Sequence, residues 1–302
     1  MKKSARVRYT KRDIGEFASA SALFAPYAIL FIIFTVLPVC MALYLSLTNY
    51  SVVQDAVFVG LKNYIYMFTE DDIFLIAVKN TFAFALISGV IGYLLSFIVA
   101  WIIDNVKGRM FFALMFYAPS ITSGVAMSVV WLTFFSPDSM GYINYALMSM
   151  NIIETPMLWN QTPSLILPMV CIVSVWMGMG TGFLAFMAGF QNLDKQIREA
   201  GQIDGVHNKF EELIYIIFPQ MKPMLLFGGV TTVTSSFAAY VIPLTMAGSP
   251  GPENASLTLV GHIQDYAFTR LDLGYASAVA VFLFAITFSI SRILFRILAD
   301  RD

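Results

Sequence analysis

The chain has 302 residues, of which 58% are hydrophobic and only 12% are charged, and its net charge is −1. A soluble domain carries about 25% charged residues, so this composition excludes an ordinary soluble protein. Disorder is also excluded, because aromatic residues reach 15% and disordered chains are poor in them. The composition therefore predicts an integral membrane protein, in agreement with a mean hydropathy of +0.74.

Six apolar runs are long enough to cross a bilayer, which takes about 20 residues in a helix. The first run is much longer than the apolar core of a signal peptide, so we expect an uncleaved helix, kinked at Pro26 and Pro38. The sequence thus predicts an all-α integral membrane protein with six transmembrane helices. The predicted spans are residues 18–47, 81–103, 111–135, 164–190, 224–243 and 274–298.

The positions of Lys and Arg predict the orientation of the chain. With the N-terminus in the cytoplasm, 15 of these residues lie on the inner side and only Lys62, Lys79 and Arg270 on the outer side, whereas the acidic residues divide 10 to 9. Because basic residues favour the cytoplasmic side, both termini are predicted to be cytoplasmic. We expect a basic cytoplasmic tail over residues 1–17 and a single six-helix domain over residues 18–302.

The outer loop over residues 136–163 contains the sequence GYINYALMSMNI. Its spacing suits a short amphipathic helix, which would lie on the membrane surface. A packed lid over the membrane helices is an equal alternative.

The predicted spans contain few groups that could perform chemistry. Spans three to five have no ionisable residue in their apolar cores, which argues against a proton relay, although backbone carbonyls could still bind sodium. His207 and His262 are the only histidines and are predicted on opposite sides of the membrane. Cys40 and Cys171 lie in apolar runs, where we expect small core side chains. The sequence predicts neither an enzyme nor a metal site.

The cytoplasmic loop over residues 191–223, between spans four and five, is more structured than a simple turn. Its pattern predicts a first helix over residues 194–203, capped by Asp194, and a second over residues 210–218 that ends at Pro219. A small, partly apolar helix beneath the membrane suits docking into a groove of a soluble partner. An amphipathic helix lying on lipid is the alternative.

This loop resembles the EAA loop of ABC importer permeases, the binding-protein-dependent, MetI-like family. Gly201 stands where the family has Ala, and the gap from Asp204 to Pro219 is one residue longer than the common form. The basic tail and the prolines of the first span resemble the carbohydrate-uptake branch, with its MalF-type and UgpA-type permeases. The residues that carry the loop resemblance are Glu199, Ala200, Gly201, Asp204, Gly205, Phe218 and Pro219.

The resemblance implies a type I ABC importer permease fold in a bacterial or archaeal cytoplasmic membrane. It implies a permease subunit that translocates a sugar or oligosaccharide, with the loop residues docking on an ATPase. The implied partners are a second homologous permease chain, two ATPase subunits, an extracytoplasmic solute-binding protein and the lipid bilayer, with no nucleic acid. ATP and Mg would bind the ATPase, so no cofactor is expected on this chain. The alternatives are an importer for a polyamine or glycerol phosphate and an ion-coupled secondary transporter.

A sugar path needs hydroxyl groups and aromatic faces rather than charges. In similar permeases the spans that flank the EAA loop line the solute cavity. Helix packing is the alternative role for each candidate, since Gly178 and Gly182 form a GxxxG pair. The predicted path residues are Trp176, Met177, Gly178, Thr181, Ser235, Ser236, Phe237 and Tyr240.

Overall fold

A computed structural model describes residues 11–248 and 250–298, so most of the predicted basic tail lies outside the described residues. The described chain is almost entirely helical. Its α-helices are α1 (Lys11–Phe31), α2 (Leu37–Leu45), α3 (Lys62–Thr69), α4 (Asp72–Phe84), α5 (Gly92–Asp104), α6 (Arg109–Ile121), α7 (Gly124–Phe134), α8 (Tyr142–Ser149), α9 (Pro163–Met177), α10 (Thr181–Gln191), α11 (Lys195–Ile203), α12 (Lys209–Glu212), α13 (Phe218–Phe237), α14 (Val241–Ala247), α15 (Leu259–Gln264) and α16 (Leu273–Leu298).

Short non-α segments connect or extend these helices. Strands β1 (Thr48–Ser51) and β2 (Gln54–Phe58) form an antiparallel hairpin after α2. A 3₁₀ turn covers Pro252–Asn254. The π-helical turns are Ile32–Val36, Ala85–Ile91, Leu213–Ile217 and Asp265–Thr269.

Five stretches of the described chain are long and apolar enough to span a membrane, and a sixth is present if α6 and α7 form one span. That pair is bent by 99°. The predicted apolar runs are therefore helical, and the third is broken. The five continuous stretches are Ser19–Leu45, Asp72–Asp104, Pro163–Gln191, Lys209–Phe237 and Leu273–Ile297.

The boundaries of two predicted spans and of one predicted loop helix are wrong. The fifth stretch covers Lys209–Phe237 rather than residues 224–243. The second span begins at Asp72 rather than residue 81, because the Asp71 carboxylate accepts a hydrogen bond from the Phe74 amide and starts the helix earlier. The predicted separate helix over residues 210–218 does not end at Pro219, since α12 continues into α13. Pro219 follows directly after the π-helical turn, where the regular pairing of amides and carbonyls is already interrupted.

The half of the bundle nearer α11 is held by aromatic side chains around α10. Phe186 is fully buried, and the rings of Tyr93 and Phe97 meet it edge-on at centroid distances of 5.3 and 5.4 Å. Phe97 also stacks on Phe218 at 5.2 Å. These contacts join α5, α10 and α13 into one packed unit below the middle of the bundle.

The outer loop contains the short helix α8, as one of the two alternatives predicted. Asn144 on this helix is fully buried and donates hydrogen bonds to the carbonyls of Ser136 and Met157, each at 3.0 Å. Its oxygen accepts a hydrogen bond from the indole of Trp159 at 2.9 Å. Asn144 therefore holds the two ends of this loop to each other, while Tyr142 on the same helix is exposed.

At the opposite end from α11, a buried carboxylate joins α4, α15 and α16. The Asp71 Oδ2 atom lies 3.0 Å from His262 Nε2 and 2.7 Å from the Tyr275 hydroxyl. The hydroxyl of Tyr266 is 3.3 Å away. Burial alone raises the pKa of Asp71, but the hydrogen bonds from Tyr275 and the Phe74 amide hold that pKa below its usual value. Asp71 is thus an ionised group that holds three segments together.

This network predicts that the folded protein loses stability in mild acid. Burial lowers the pKa of His262 below its ordinary value of 6.5, although the charge on Asp71 opposes that shift. Below about pH 6.5 the unfolded chain takes up a proton that the folded chain excludes, so Tm is expected to fall from about pH 7.5 to about pH 5.5. Measuring Tm of the purified protein across this range tests it. His262→Gln is expected to flatten the dependence, and an identical slope in that variant would contradict the assignment.

Candidate functional site

Three helix breaks surround one cavity in the middle of the bundle. Residues 122–123 separate α6 from α7, residues 178–180 separate α9 from α10, and residues 238–240 separate α13 from α14. Each break contributes to the cavity wall. Irregular backbone within a membrane is tolerated only where it is buried in protein or lines a cavity. The three breaks therefore lie where irregular backbone is tolerated, along the wall of a cavity.

The cavity has a volume of about 360 Å³ and its wall is rich in hydroxyl groups. None of the described residues that line it is charged. The hydroxyl-bearing wall residues are Ser88, Ser120, Thr122, Ser174, Thr232, Ser235, Ser236 and Tyr240. The remaining wall residues are Phe84, Gly92, Gly124, Met177, Gly178, Ala238, Ala239, Val241, Ile242 and Pro243.

The structure brings together five of the eight predicted path residues, which are Met177, Gly178, Ser235, Ser236 and Tyr240. The other three do not contribute a described side chain to the wall. Trp176 packs edge-on against Trp131 at 5.5 Å, and Phe237 is buried against Phe82 at 5.3 Å. Thr181 begins α10, but its side chain lies outside the described residues.

Sequence reasoning missed the part of the wall that comes from the second and third spans. Ser88 and Ser120 each donate to a carbonyl of their own helix at 2.7 Å, which is a common arrangement for serine anywhere in a membrane helix. Only the four-residue spacing of Ser88 and Gly92 marks a small-residue face in the second span. The sequence therefore contains little that separates these serines from packing residues.

Most wall hydroxyls already donate to backbone carbonyls and so can still accept a hydrogen bond from a solute. Ser235 and Ser236 both donate to the carbonyl of Thr232, at 2.9 and 2.8 Å. The Ser174 hydroxyl differs, because it is buried and has no hydrogen-bond partner among the described residues. The cavity thus offers both acceptors and an uncommitted donor to a hydroxyl-bearing guest.

Glycines let the helices approach closely beside this cavity. A Cβ atom on Gly89 would lie 2.8 Å from the Ser236 hydroxyl, and one on Gly180 would lie 2.5 Å from the Cβ of Ser120. Each distance is too short for a carbon atom, so larger residues there would displace wall serines. Both glycines therefore position hydroxyl groups of the cavity.

The predicted coupling loop forms a compact helical projection at the opposite end from Asp71. Helix α11 begins at its predicted cap, where the Asp194 carboxylate accepts from the Gln196 amide at 2.8 Å. Gly205 ends the projection with a φ of +100°, a conformation that favours glycine. Ile197 and Ile203 are 47% and 87% exposed, so α11 presents apolar side chains to its surroundings.

The residues that resemble the EAA motif divide into two groups. Glu199, Ala200 and Asp204 are exposed on α11 or directly after it, beside Gly201 and Gly205. Phe218 and Pro219 lie instead at the start of α13, where Phe218 stacks on Phe97. The first group therefore forms a surface of α11, whereas Phe218 stacks on Phe97 of α5 and is still 36% exposed.

Ion pairs attach α11 to the base of the fifth span. Glu212 is 6% exposed, accepts a hydrogen bond from the Arg198 guanidinium and lies 3.1 Å from Lys209 Nζ. The Asp194 amide donates to the Gln220 side chain at 3.3 Å. Arg198 and Asp194 therefore connect α11 to the base of the fifth span, one by an ion pair and the other by a hydrogen bond.

Gly201→Ala is expected to lower the stability of the loop by about 1 kcal/mol, because a Cβ at this position overlaps the Ile216 Cδ1 atom. Ile216 occupies the space that the family's usual alanine would need. Adding Ile216→Val removes the overlapping methyl group and is expected to restore the stability. Thermal unfolding of the purified single and double variants measures both effects. Equal Tm values for Gly201→Ala and the parent protein would show that Ile216 moves freely.

Known proteins share this architecture. The chain is 32% identical to the probable ABC transporter permease YesP of Bacillus subtilis over 299 residues, covering 98% of this chain and 93% of that protein. It is 29% identical over 273 residues to AraP, the arabinooligosaccharides transport system permease of Halalkalibacterium halodurans, covering 89% of this chain and 84% of that protein.

A solved structure shows the same fold. It is a bacterial alginate ABC transporter in complex with an alginate pentasaccharide-bound periplasmic protein, and one of its chains superposes with a TM-score of 0.81 at 19% identity. The superposition covers 95% of this chain and 96% of that chain. The fold is thus the type I ABC importer permease fold that the loop resemblance implied.

A family assignment also covers most of the chain. Residues 90–301 match the family described as the binding-protein-dependent transport system inner membrane component. This range contains the three helix breaks, most of the cavity wall and the whole α11 projection. The chain therefore belongs to the family of inner membrane components of binding-protein-dependent transport systems.

Proposed function

We propose that this chain is the transmembrane permease subunit of an ATP-driven ABC importer that translocates a sugar or oligosaccharide delivered by a solute-binding protein. The observation that carries the proposal is the uncharged cavity, whose wall of hydroxyl groups suits a neutral, hydroxyl-rich solute. AraP is named for arabinooligosaccharides, which are neutral and rich in hydroxyl groups. The solved structure with the same fold is an importer of alginate, an acidic polysaccharide, so it supports an oligosaccharide but not the absence of charge.

The charge of the cavity also favours this solute class over the alternatives. A polyamine would require acidic partners and a phosphate would require basic ones, and the described wall contains neither. Proton-coupled transport is disfavoured for a related reason, since proton relays within membranes use ionisable side chains.

The remaining parts of the proposal concern topology and partners. The six-span count with both termini in the cytoplasm is supported by the basic residues on the α11 side of the bundle. The domain division is residues 1–17 as the tail and residues 18–302 as one membrane domain, with the coupling loop over residues 191–223. The proposed partners are a second homologous permease chain, two ATPase subunits that bind ATP and Mg, and the solute-binding protein. No cofactor is proposed on this chain.

In this mechanism α11 transmits a two-state equilibrium. ATP binding draws the ATPase subunits together and moves the docked α11 helices, which opens the cavity outward. The solute-binding protein then releases its sugar into the cavity, and hydrolysis returns the permease to the inward state. Each ligand shifts the equilibrium only because it binds one state more tightly than the other.

Capture of the tagged chain from its native membrane in mild detergent tests the partners. Mass spectrometry is expected to find an ATPase and a second six-span protein in the purified complex. A stable, monodisperse chain without either partner would contradict the importer proposal and favour a secondary transporter.

The combined variant Ser235→Ala, Ser236→Ala and Tyr240→Phe is expected to reduce uptake at least about tenfold. Each hydroxyl removed takes away a hydrogen bond worth about 0.5–1.5 kcal/mol to a sugar in the cavity. The measurement is ATP-driven uptake by proteoliposomes of the labelled oligosaccharide that the parent complex transports best. Thr234→Ala is the control, because Thr234 lies on the same helix outside the cavity wall. Unchanged uptake in the triple variant would contradict the proposed path.

A further inference from the structure

A second cavity of about 190 Å³ lies beside the Asp71 network, and it shares no wall residue with the central cavity. In the proposed topology it opens on the extracytoplasmic side, since α15 and the start of α4 lie at the end of the bundle opposite α11. Its wall residues are Ile73, Pro250, Asn254, Leu257, His262, Asp265 and Arg270.

His262 contributes an unused hydrogen-bond acceptor to this wall. The side chain is 1% exposed, and its Nε2 atom lies 3.0 Å from the ionised carboxylate of Asp71. Nε2 therefore carries the proton, and the neutral ring has a bare lone pair on Nδ1. The Nδ1 atom is buried and has no hydrogen-bond partner among the described residues. A buried acceptor of this kind is normally satisfied, so it points to a guest that brings a donor.

Asp265 adds a second acceptor and a negative charge. Its Oδ2 atom accepts from Arg270 Nε at 2.8 Å, which leaves its other oxygen available. Arg270 is also held over the ring of Tyr266, with its guanidinium carbon 4.2 Å from the ring centroid. Arg270 therefore occupies one oxygen of Asp265, and the other oxygen has no hydrogen-bond partner among the described residues.

The surface around the cavity is acidic. Asp72 and Glu253 are exposed and adjoin the wall residues Ile73 and Asn254. The outer segments as a whole contain nine acidic residues against three basic ones, Lys62, Lys79 and Arg270. Such a face attracts a basic protein surface and steers its approach.

We propose that this cavity receives a lysine or arginine side chain from the docking face of the solute-binding protein, which donates to His262 Nδ1 and to the Asp265 carboxylate. The inference rests on the proposed function, because it needs a docked solute-binding protein. The inference adds to that function a particular site on this chain, at which the binding protein's side chain meets the Asp265 carboxylate and donates to His262 Nδ1.

The test measures binding of the purified solute-binding protein to the complete importer complex in nanodiscs. Asp265→Asn is expected to raise Kd about tenfold, because it removes the charge that the basic side chain meets. Asp265 is partly exposed, so this variant is expected to keep the fold, which an unchanged Tm verifies. His262→Leu is expected to weaken binding as well, whereas His262→Gln retains a donor for Asp71 and an acceptor for the guest. Glu154→Gln removes a charge elsewhere on the same face and serves as the matched control.

A second measurement identifies the guest. Each lysine and arginine of the binding protein's docking face is replaced in turn, and Kd is measured with the parent complex and with Asp265→Asn. For one of these residues, the increase in Kd is expected to disappear when Asp265→Asn is already present. Equal Kd values for Asp265→Asn and the parent complex would overturn the inference while leaving the proposed function intact. If the parent complex itself binds no solute-binding protein, both the proposed function and this inference fail.

Discussion

Asp71→Ala is expected to lower the free energy of unfolding by several kcal/mol, enough to reduce the amount of folded protein recovered from membranes. The carboxylate accepts from His262, Tyr275 and the Phe74 amide, all of which are buried. Each buried donor left without an acceptor costs about 1–3 kcal/mol. The variant therefore loses the cap of α4 and its connection to α15 and α16 in one step. Thermal unfolding of the purified chain measures the effect.

The adjacent residue provides the control for this prediction. Asp72 is exposed and lies in the first turn of α4, so Asp72→Ala is expected to change stability by only about 0.5 kcal/mol. Asp71→Asn is expected to be intermediate, since its amide oxygen can still cap the helix but accepts fewer of the other hydrogen bonds. Equal Tm losses for Asp71→Ala and Asp72→Ala would show that the buried network does not stabilise the fold.

The membrane helices could be predicted from the sequence because their apolar runs are long, whereas their ends and breaks depend on other elements. The second span starts early because Asp71 finds its partners nearly 200 residues further along the chain. The break between α6 and α7 comes at Thr122 and Ser123, where no proline or glycine run marks it. Tertiary packing decides where these helices begin and break, and a hydropathy pattern carries no information about that packing.

The central cavity could be predicted in part for the same reason. The predicted path residues come from the fourth and fifth spans, because these spans flank the loop that resembles the EAA loop. Five of these residues do line the cavity. Ser88 comes from a π-helical turn that packs on α9 and α13, and Ser120 comes from α6, which packs on α5, α9 and α10, so long-range contacts decide that both face the cavity. Trp176 was predicted to line the path but does not, because its ring packs against Trp131 instead of facing the cavity.

Likewise, the coupling loop was predictable in its first helix but not in its second. Asp194 and Gly205 mark the ends of α11 by local chemistry alone, as a capping carboxylate and a residue with positive φ. Pro219 also looks like a helix stop signal, because proline has no amide hydrogen. The helix nevertheless continues, since the π-helical turn before Pro219 already interrupts the regular pairing of amides and carbonyls. The attachment of α11 through Glu212 is a contact between residues 14 apart that no local pattern predicts.

Glu212→Ala is expected to abolish most uptake, by about tenfold or more, while the ATPase subunits remain bound and continue to hydrolyse ATP. Glu212 does not lie on the exposed surface of α11 but holds Arg198 and Lys209 at the base of the fifth span. Glu212 is buried, but the Arg198 and Lys209 side chains are 25% and 61% exposed, so the loss of stability is expected to be smaller than the about 3–5 kcal/mol of a fully buried pair. Its removal nevertheless leaves Arg198 without its partner at the base of the fifth span. The helix can then move without moving the span, so that hydrolysis is uncoupled from transport.

Two other glutamates separate this uncoupling from a loss of docking. Glu199 is exposed on α11, so Glu199→Ala is expected to weaken recovery of the ATPase with the permease. Glu211 is half-buried and accepts a hydrogen bond from the His207 amide, whereas Arg198 pairs with Glu212, so Glu211→Ala is expected to leave both association and uptake close to those of the parent complex. The measurements are ATPase recovery, ATP hydrolysis and solute uptake in the same proteoliposomes. A charge exchange, Arg198→Glu with Glu212→Arg, is expected to restore uptake in part. If Glu212→Ala retains full uptake, the ion pair does not couple α11 to the fifth span.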